Sequence, residues 1–306
     1  MRQKNYFKFT IIILLCFLIV YILPVQATES NVTVFILDSL VNLDFVNSKI
    51  MYNNKKITHG SMVARIIKQE APEAKLKPIS VEGNNEIIKK NLYLAGLKEI
   101  IRYKKANPEE KILVNISLAF SKSTSSHYDL IKKLHKLKVK VIAAAGNNNS
   151  SARIYPAGYS EVIAVANASK TGKANSSNYG KYIDISARGT IEYITSIYLP
   201  WGTQIKTIKA EGTSFSAPRV TGLWAKLLCA KSNLSIDEGF QVIINNTDSI
   251  DDQKFRKDKL GVGVINKDRT LSQIDPYYIL KKNIKIYVLP VIIFVFFIYL
   301  GIKWGW

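Results

Sequence analysis

The sequence predicts an α/β fold with a mostly parallel sheet covered by helices on both faces. Two observations predict it. Four short, nearly continuous apolar runs, at 32–37, 112–118, 139–145 and 162–166, are rich in β-branched residues. Between and after them lie helical patterns at 61–69, about 86–105, about 128–137 and 214–230. Strands apolar on both faces, separated by amphipathic helices, are the mark of a sheet buried on both sides.

The elements justify themselves in order. Residues 32–37 read Val-Thr-Val-Phe-Ile-Leu, and Asp38 directly follows them. The next pattern begins at His59 and carries Val63, Ile66 and Ile67 at i, i+3, i+4 spacing, which places His59 at a helix start. The run 139–145 leads through Gly146 to Asn147. The last helix, 214–230, buries a stripe of Val220, Leu223, Trp224, Leu227 and Leu228, with Cys229 as a small core residue beside it. In folds of this class, ligands bind at the carboxyl ends of strands, so Asp38 and Asn147 stand where chemistry is expected. His127 and His135 read instead as surface positions of the amphipathic helix near 128–137.

The chain has 306 residues, 47% of them hydrophobic and 22% charged, enough for one large packed domain or two small ones. Its formal charge is +20. Arg2, Lys4, Lys8, Lys281, Lys282, Lys285 and Lys303 lie at the two ends, and most of the excess remains between them. Such a surface favours anionic membranes or acidic substrates, although lysine scattered over a solvated surface is the plainer explanation. The sequence has no Gly-rich phosphate loop, zinc spacing or RNA-binding signature, and no nucleic-acid partner is predicted. Of the two cysteines, Cys16 falls in a segment expected to be removed, which leaves Cys229 alone and predicts no intramolecular disulfide.

Both ends read as membrane-directed. Residues 1–27 have the three parts of a secretory signal: a basic start, an apolar core from Phe9 to Leu23, and Val25-Gln26-Ala27 at the cleavage positions. Ile286 to Ile302 is a seventeen-residue run without charge, followed by Lys303 and flanked by Trp304 and Trp306. The expected organisation is a signal peptide at 1–27, a catalytic domain at 28–276 and a basic linker at 277–285. A single transmembrane helix at 286–302 and a tail at 303–306 follow. The catalytic domain is then expected on the extracytoplasmic side of the cell membrane.

One motif carries the chemistry. Glu211-Gly212-Thr213-Ser214-Phe215-Ser216-Ala217-Pro218 places a serine at the entry of an apolar helix. Its hydroxyl and its backbone N–H converge on one point, as acyl transfer requires. Asp38, His59 and Ser214 also occur in the chain order of one known Ser-His-Asp arrangement.

The flanking residues resemble the subtilisin-like serine proteases. Val34-Phe35-Ile36-Leu37-Asp38-Ser39 is similar to the aspartate strand, and Thr58-His59-Gly60-Ser61-Met62-Val63-Ala64 to the histidine motif. Ala143-Ala144-Ala145-Gly146-Asn147 is similar to the segment with the oxyanion asparagine, and Gly212 to Pro218 to the serine motif. Fainter echoes are Asn115 to Leu118, Tyr155-Pro156-Ala157 and Gly261 to Asn266. The resemblance covers about residues 32–270. It implies a subtilisin-like three-layer α/β/α domain. By resemblance, Ser214 is the nucleophile, His59 the base and Asp38 its orienting acid. The Asn147 amide and the Ser214 N–H form the oxyanion hole. Ser117, Leu118, Ala119 and Gly146 line the substrate groove, with Gly83 and Asn84 as the opposite rail. The implied substrate is an extended polypeptide bound by strand addition.

The chain also departs from the pattern. Only 21 positions separate Asp38 from His59, Leu40 follows Ser39 where a glycine is usual, and Ala119 replaces a glycine, which narrows the first pocket. The ten positions between Thr28 and Asp38 leave no room for a folding pro-segment. Family calcium sites lie partly in loops that are short here, and no metal or other cofactor is predicted. The rival readings are a catalytically silent fold serving as a binding or assembly module at the membrane, and acyl transfer to an acceptor other than water. The silent fold predicts decay of a catalytic residue, whereas all four are present. The sequence does not set the oligomeric state.

Overall fold

The computed structural model describes residues 30–47, 57–83, 87–199, 202–249, 259–275 and 278. All but Ser30 belong to the compact unit that begins at Asn31. The predicted signal, the linker apart from Tyr278, the transmembrane helix and the tail lie outside the described residues, as does Asn84. Among the described residues no helix is long and apolar enough to cross a membrane.

Six strands, β1 (Val32–Asp38), β2 (Lys75–Ser80), β3 (Lys111–Ile116), β4 (Lys140–Ala144), β5 (Val162–Asn167) and β6 (Ile185–Ala187), form one sheet. Its order is β2-β1-β3-β4-β5-β6, and every adjacent pair is parallel. The predicted parallel α/β fold is therefore the observed one. The chain moves from β1 outward to β2 and then crosses back to β3. The sheet reverses its winding between β1 and β3, and a crevice opens at the carboxyl end of such a switch point.

Alternating side chains along each strand enter two separate cores. Phe35 and Leu37 of β1 join Ile112, Val114 and Ile116 of β3 on one face. Helices α3 (Lys90–Ala106) and α4 (Ser125–Lys136) cover it with Tyr93, Leu97, Ile100, Leu130, Ile131 and Leu134. Val32, Val34 and Ile36 face the opposite core, under α2 (His59–Glu70) and α5 (Thr213–Ala230). The predicted stripe Val220, Leu223, Trp224, Leu227 and Leu228 is buried in that second core. Loss of a side chain such as Trp224, which is fully buried, costs about 3–5 kcal/mol. That packing fixes the helix whose first turn carries Ser214. Cys229 is half-buried against the same core.

Several elements differ from the sequence expectation. β2 reads Lys-Leu-Lys-Pro-Ile-Ser and is an edge strand, where a proline without an N–H is tolerated. β6 is only three residues long. The predicted strand 112–118 ends at Ile116, and the predicted helix 86–105 begins at Lys90. Helices α1 (Leu43–Asn47), α6 (Ile236–Ile244) and α7 (Lys267–Ser272) were not foreseen. Neither was an antiparallel ribbon of β7 (Thr190–Leu199) and β8 (Gly202–Glu211), whose base joins α5 through the Gly212 N–H to the Gly189 carbonyl, 3.1 Å.

His127 corrects the sequence reading. It is fully buried, whereas His135 is exposed as expected. The rings of Tyr93, Phe120 and Tyr159 meet its imidazole edge-on, with centroids 5.0, 5.9 and 5.0 Å away. Its Nε2 shares a 2.8 Å hydrogen bond with the Tyr93 hydroxyl. Burial, with the charge of Lys90, depresses its pKa to about 4, so the ring is neutral and belongs to the core.

Candidate active site

Asp38 ends β1 and is buried. Its Oδ1 accepts from His59 Nδ1 at 2.7 Å and from the Ser39 N–H at 2.7 Å. Its Oδ2 has no hydrogen-bond partner among the described residues. A buried carboxylate is costly unless paired, and His59 is that pair. The ring is held at the start of α2 because Thr58 caps the helix: its side chain accepts from the Ser61 N–H at 3.2 Å. Gly60 allows the close fit. A Cβ there would lie 2.4 Å from the Ser39 carbonyl oxygen and 3.2 Å from the Asp38 Cβ. The Gly60 N–H donates to Ser39 Oγ at 2.8 Å, which braces the same contact.

Burial of His59 disfavours the charged ring, but the hydrogen bond and charge of Asp38 outweigh it and raise the pKa above its usual 6.5. The Asp38 contact also fixes the tautomer. Nδ1 carries the proton and Nε2 is left as the acceptor.

Ser214 stands in the first turn of α5, half-buried. Phe215 packs beside the His59 ring, with centroids 5.6 Å apart, so the two motifs meet in space. In the resting arrangement Ser214 Oγ donates to the Ser117 carbonyl at 3.2 Å, and no hydrogen bond to His59 is formed among the described residues. Catalytic hydrogen bonds are often loose before substrate binds.

Pro218, four residues after Ser214, has no N–H to give to the Ser214 carbonyl. The Ser117 hydroxyl supplies the missing donor at 2.9 Å. Asn115 Nδ2 donates to the same hydroxyl at 3.0 Å, and Thr221 Oγ1 donates to Asn115 Oδ1 at 3.1 Å. Ser117 therefore touches the nucleophile twice. Replacing Ser117 with alanine is expected to lower kcat about tenfold while KM moves little, because the loss leaves a buried carbonyl without a donor. Steady-state kinetics on a peptide substrate check this.

Asn147 completes the site. Gly212 precedes α5 and has no side chain to cap it. Asn147 Oδ1 serves instead, accepting from the Thr213 N–H at 2.9 Å and from Thr213 Oγ1 at 2.9 Å. A backbone N–H can only donate, so the atom facing it is the oxygen and Nδ2 points away, free to donate. Gly146, with φ +101°, makes the turn that brings Asn147 here, and its N–H donates to Thr213 Oγ1 at 3.1 Å. The Ser214 N–H lies in the unbonded first turn, beside the positive end of the helix dipole. An Asn147→Ala variant is expected to lose about 10²- to 10³-fold in kcat, the cost of one oxyanion donor measured on subtilisin itself. Because the alanine also uncaps Thr213, a thermal melt run beside the kinetics separates the two losses.

The structure thus brings Asp38, His59, Asn147 and Ser214 together with Ser117 and Gly146. Leu118 is half-buried and Ala119 is exposed, beyond the end of the β3 ladder. The Gly83 N–H donates to the Ile87 carbonyl at 3.0 Å. Sequence reasoning missed Thr213, Pro218 and Phe215 as parts of the site. A proline four residues after a reactive serine is the signal that marks the freed carbonyl.

The family model described as "Subtilase family" matches residues 40–266. The chain belongs to the subtilase family. This subtilase is 31% identical over 131 residues to the "Thermophilic serine proteinase" of Bacillus sp. (strain AK1), covering 42% of this chain and 31% of that protein. It is 29% identical over 191 residues to the "Thermostable alkaline protease" of Halalkalibacterium halodurans, covering 59% and 49%. The match spans less than half the length of either relative. Among solved structures, the subtilase superimposes on a lanthipeptide protease with TM-score 0.63 at 17% identity, over 81% of this chain and 89% of that one. That likeness is one of fold.

Proposed function

We propose that this subtilase is a serine endopeptidase that hydrolyses extended polypeptides through an acyl-enzyme. The observation that carries the reading is the 2.7 Å Asp38–His59 hydrogen bond facing the first turn of α5, where Ser214 and the Asn147 amide converge. Ser214 Oγ attacks the scissile carbonyl and its proton passes to His59 Nε2. The carbonyl oxygen becomes an oxyanion held by Asn147 Nδ2 and the Ser214 N–H. Collapse breaks the C–N bond, and His59 returns the proton to the leaving amine. Water then repeats the sequence on the ester, releasing the acid and restoring Ser214. Asp38 holds the ring through its hydrogen bond and stabilises the imidazolium.

Membrane anchoring and limited processing of exported proteins belong to the same proposal. They rest on the uncharged run 286–302 and the signal-like segment 1–27. A protease held at the membrane meets few substrates, and those it meets are leaving the cell. A terminal-peptide comparison between membranes of cells with the natural chain and with Ser214→Ala tests this. New termini confined to exported or membrane proteins are expected; identical terminal peptides in both would contradict it.

A further inference from the structure

We propose that Asn178 is a positioning residue for the oxyanion hole: it holds the turn that carries Asn147, so that the Asn147 amide stays where negative charge develops on the substrate oxygen. The inference rests on the serine-protease reading and adds a residue which that reading does not use. β4 ends at Ala144, so Gly146 to Ser150 lie beyond its ladder, and Asn147, Asn148 and Asn149 are exposed. The bonds to Thr213 fix only the far end of the Asn147 side chain. Backbone groups outside a ladder need other partners, and a turn that lacks them opens readily.

Asn178 supplies partners on both sides of Asn147. It lies between β5 and β6 and is 1% exposed. Its N–H donates to the Gly146 carbonyl at 2.8 Å, directly before Asn147. Its Oδ1 accepts from the Asn148 N–H at 2.9 Å, directly after Asn147, and from the Ser150 N–H at 3.1 Å. The neighbours of Asn178 extend the seam. The Asn149 N–H donates to the Ser176 carbonyl at 2.8 Å, and the Tyr179 N–H to the Ser150 carbonyl at 3.1 Å. The Asn178 amide also packs against Gly146, where a Cβ would lie 2.6 Å from Nδ2. Asn178 is itself tied to the sheet. Ser177 Oγ donates to the Asn178 carbonyl at 2.9 Å and accepts from the Asn167 N–H of β5 at 2.9 Å. A rigid strand is thus joined through one buried residue to the peptide groups that flank Asn147. Oxyanion donors work because they are aimed before the charge appears, and a misplacement of about 1 Å can cost about 10²-fold.

The test is a double-mutant cycle on the full-length protein with one peptide substrate, reading kcat and KM separately below the melting temperature of each variant. Asn178→Ala is expected to lower kcat by about tenfold or more while KM stays within about threefold, because the turn loosens but the groove does not change. In an Asn147→Ala background the same change is expected to cost less than about threefold, since no amide is left to aim. Asn178→Asp keeps the accepting oxygen and should hold kcat within about threefold of the natural chain. The milder Asn178→Ser should fall between the two, and it carries the cycle if the alanine variant does not fold. A loss of kcat by the same factor with and without the Asn147 amide would give Asn178 a general structural role and overturn the inference. So would a natural kcat in both Asn178→Ala and Asn178→Ser. Failure of the natural chain to cleave any peptide, while a serine-reactive probe also leaves Ser214 unlabelled, overturns the protease reading itself and this inference with it.

Discussion

Ser214→Ala is expected to lower kcat by about 10⁶-fold, the magnitude found when the nucleophile of subtilisin itself is removed. The physical reason is that every later group acts through Ser214 Oγ. Without it, His59 has no proton to take, and the Asn147 amide faces an oxyanion that never forms. Binding should survive, because the segment 117–119 that would pair with an extended substrate remains. KM for a slowly turned-over substrate, or the affinity for a non-cleavable peptide, is expected to stay within about threefold. A loss of affinity equal to the loss of turnover would mean that Ser214 serves binding and not chemistry.

Asp38→Asn has the next largest expected effect, about 10⁴-fold in kcat, by analogy with the loss of the correct tautomer in other serine proteases. An asparagine amide at this buried position can present its N–H₂ to Nδ1, which would move the ring proton to Nε2 and remove the acceptor that Ser214 needs. The same change should alter the pH profile. In the natural chain Asp38 holds the His59 pKa above 6.5 against the opposing pull of burial. Activity requires neutral His59, so kcat/KM should rise with pH through a midpoint above 6.5. With Asp38 neutralised, only burial remains and the midpoint should move down. Residual activity of the variant, followed from pH 5 to 9, checks the direction; an unmoved or raised midpoint would contradict the role given to Asp38.

What the sequence made legible follows from which contacts are local. β1, β3, β4 and β5 are central or nearly so, and their apolar runs announce themselves because both faces are buried. β2 escaped because an edge strand needs only one partner and tolerates Pro78 and alternating lysines. The β7–β8 ribbon escaped because its strands mix polar and apolar residues without a clean period of two. The four catalytic residues were readable from short flanking motifs. Their mutual support was not. Asn147 caps Thr213 across 66 positions, and Ser117 holds Ser214 across 97. His127 shows the same limit. A histidine in the first turn of an amphipathic helix looks solvated until Tyr93, 34 positions away, supplies its partner.

The central claim is that Ser214 is an activated nucleophile, poised by His59 and Asp38. Its most direct test is covalent labelling of the intact protein with a fluorophosphonate probe, read by mass spectrometry of the modified peptide. One equivalent of label on Ser214 is expected, lost in Ser214→Ala, strongly slowed in His59→Ala and Asp38→Asn, and faster as pH rises through the His59 pKa. A folded protein that takes no label, or that takes as much label after Ser214→Ala, would contradict the account.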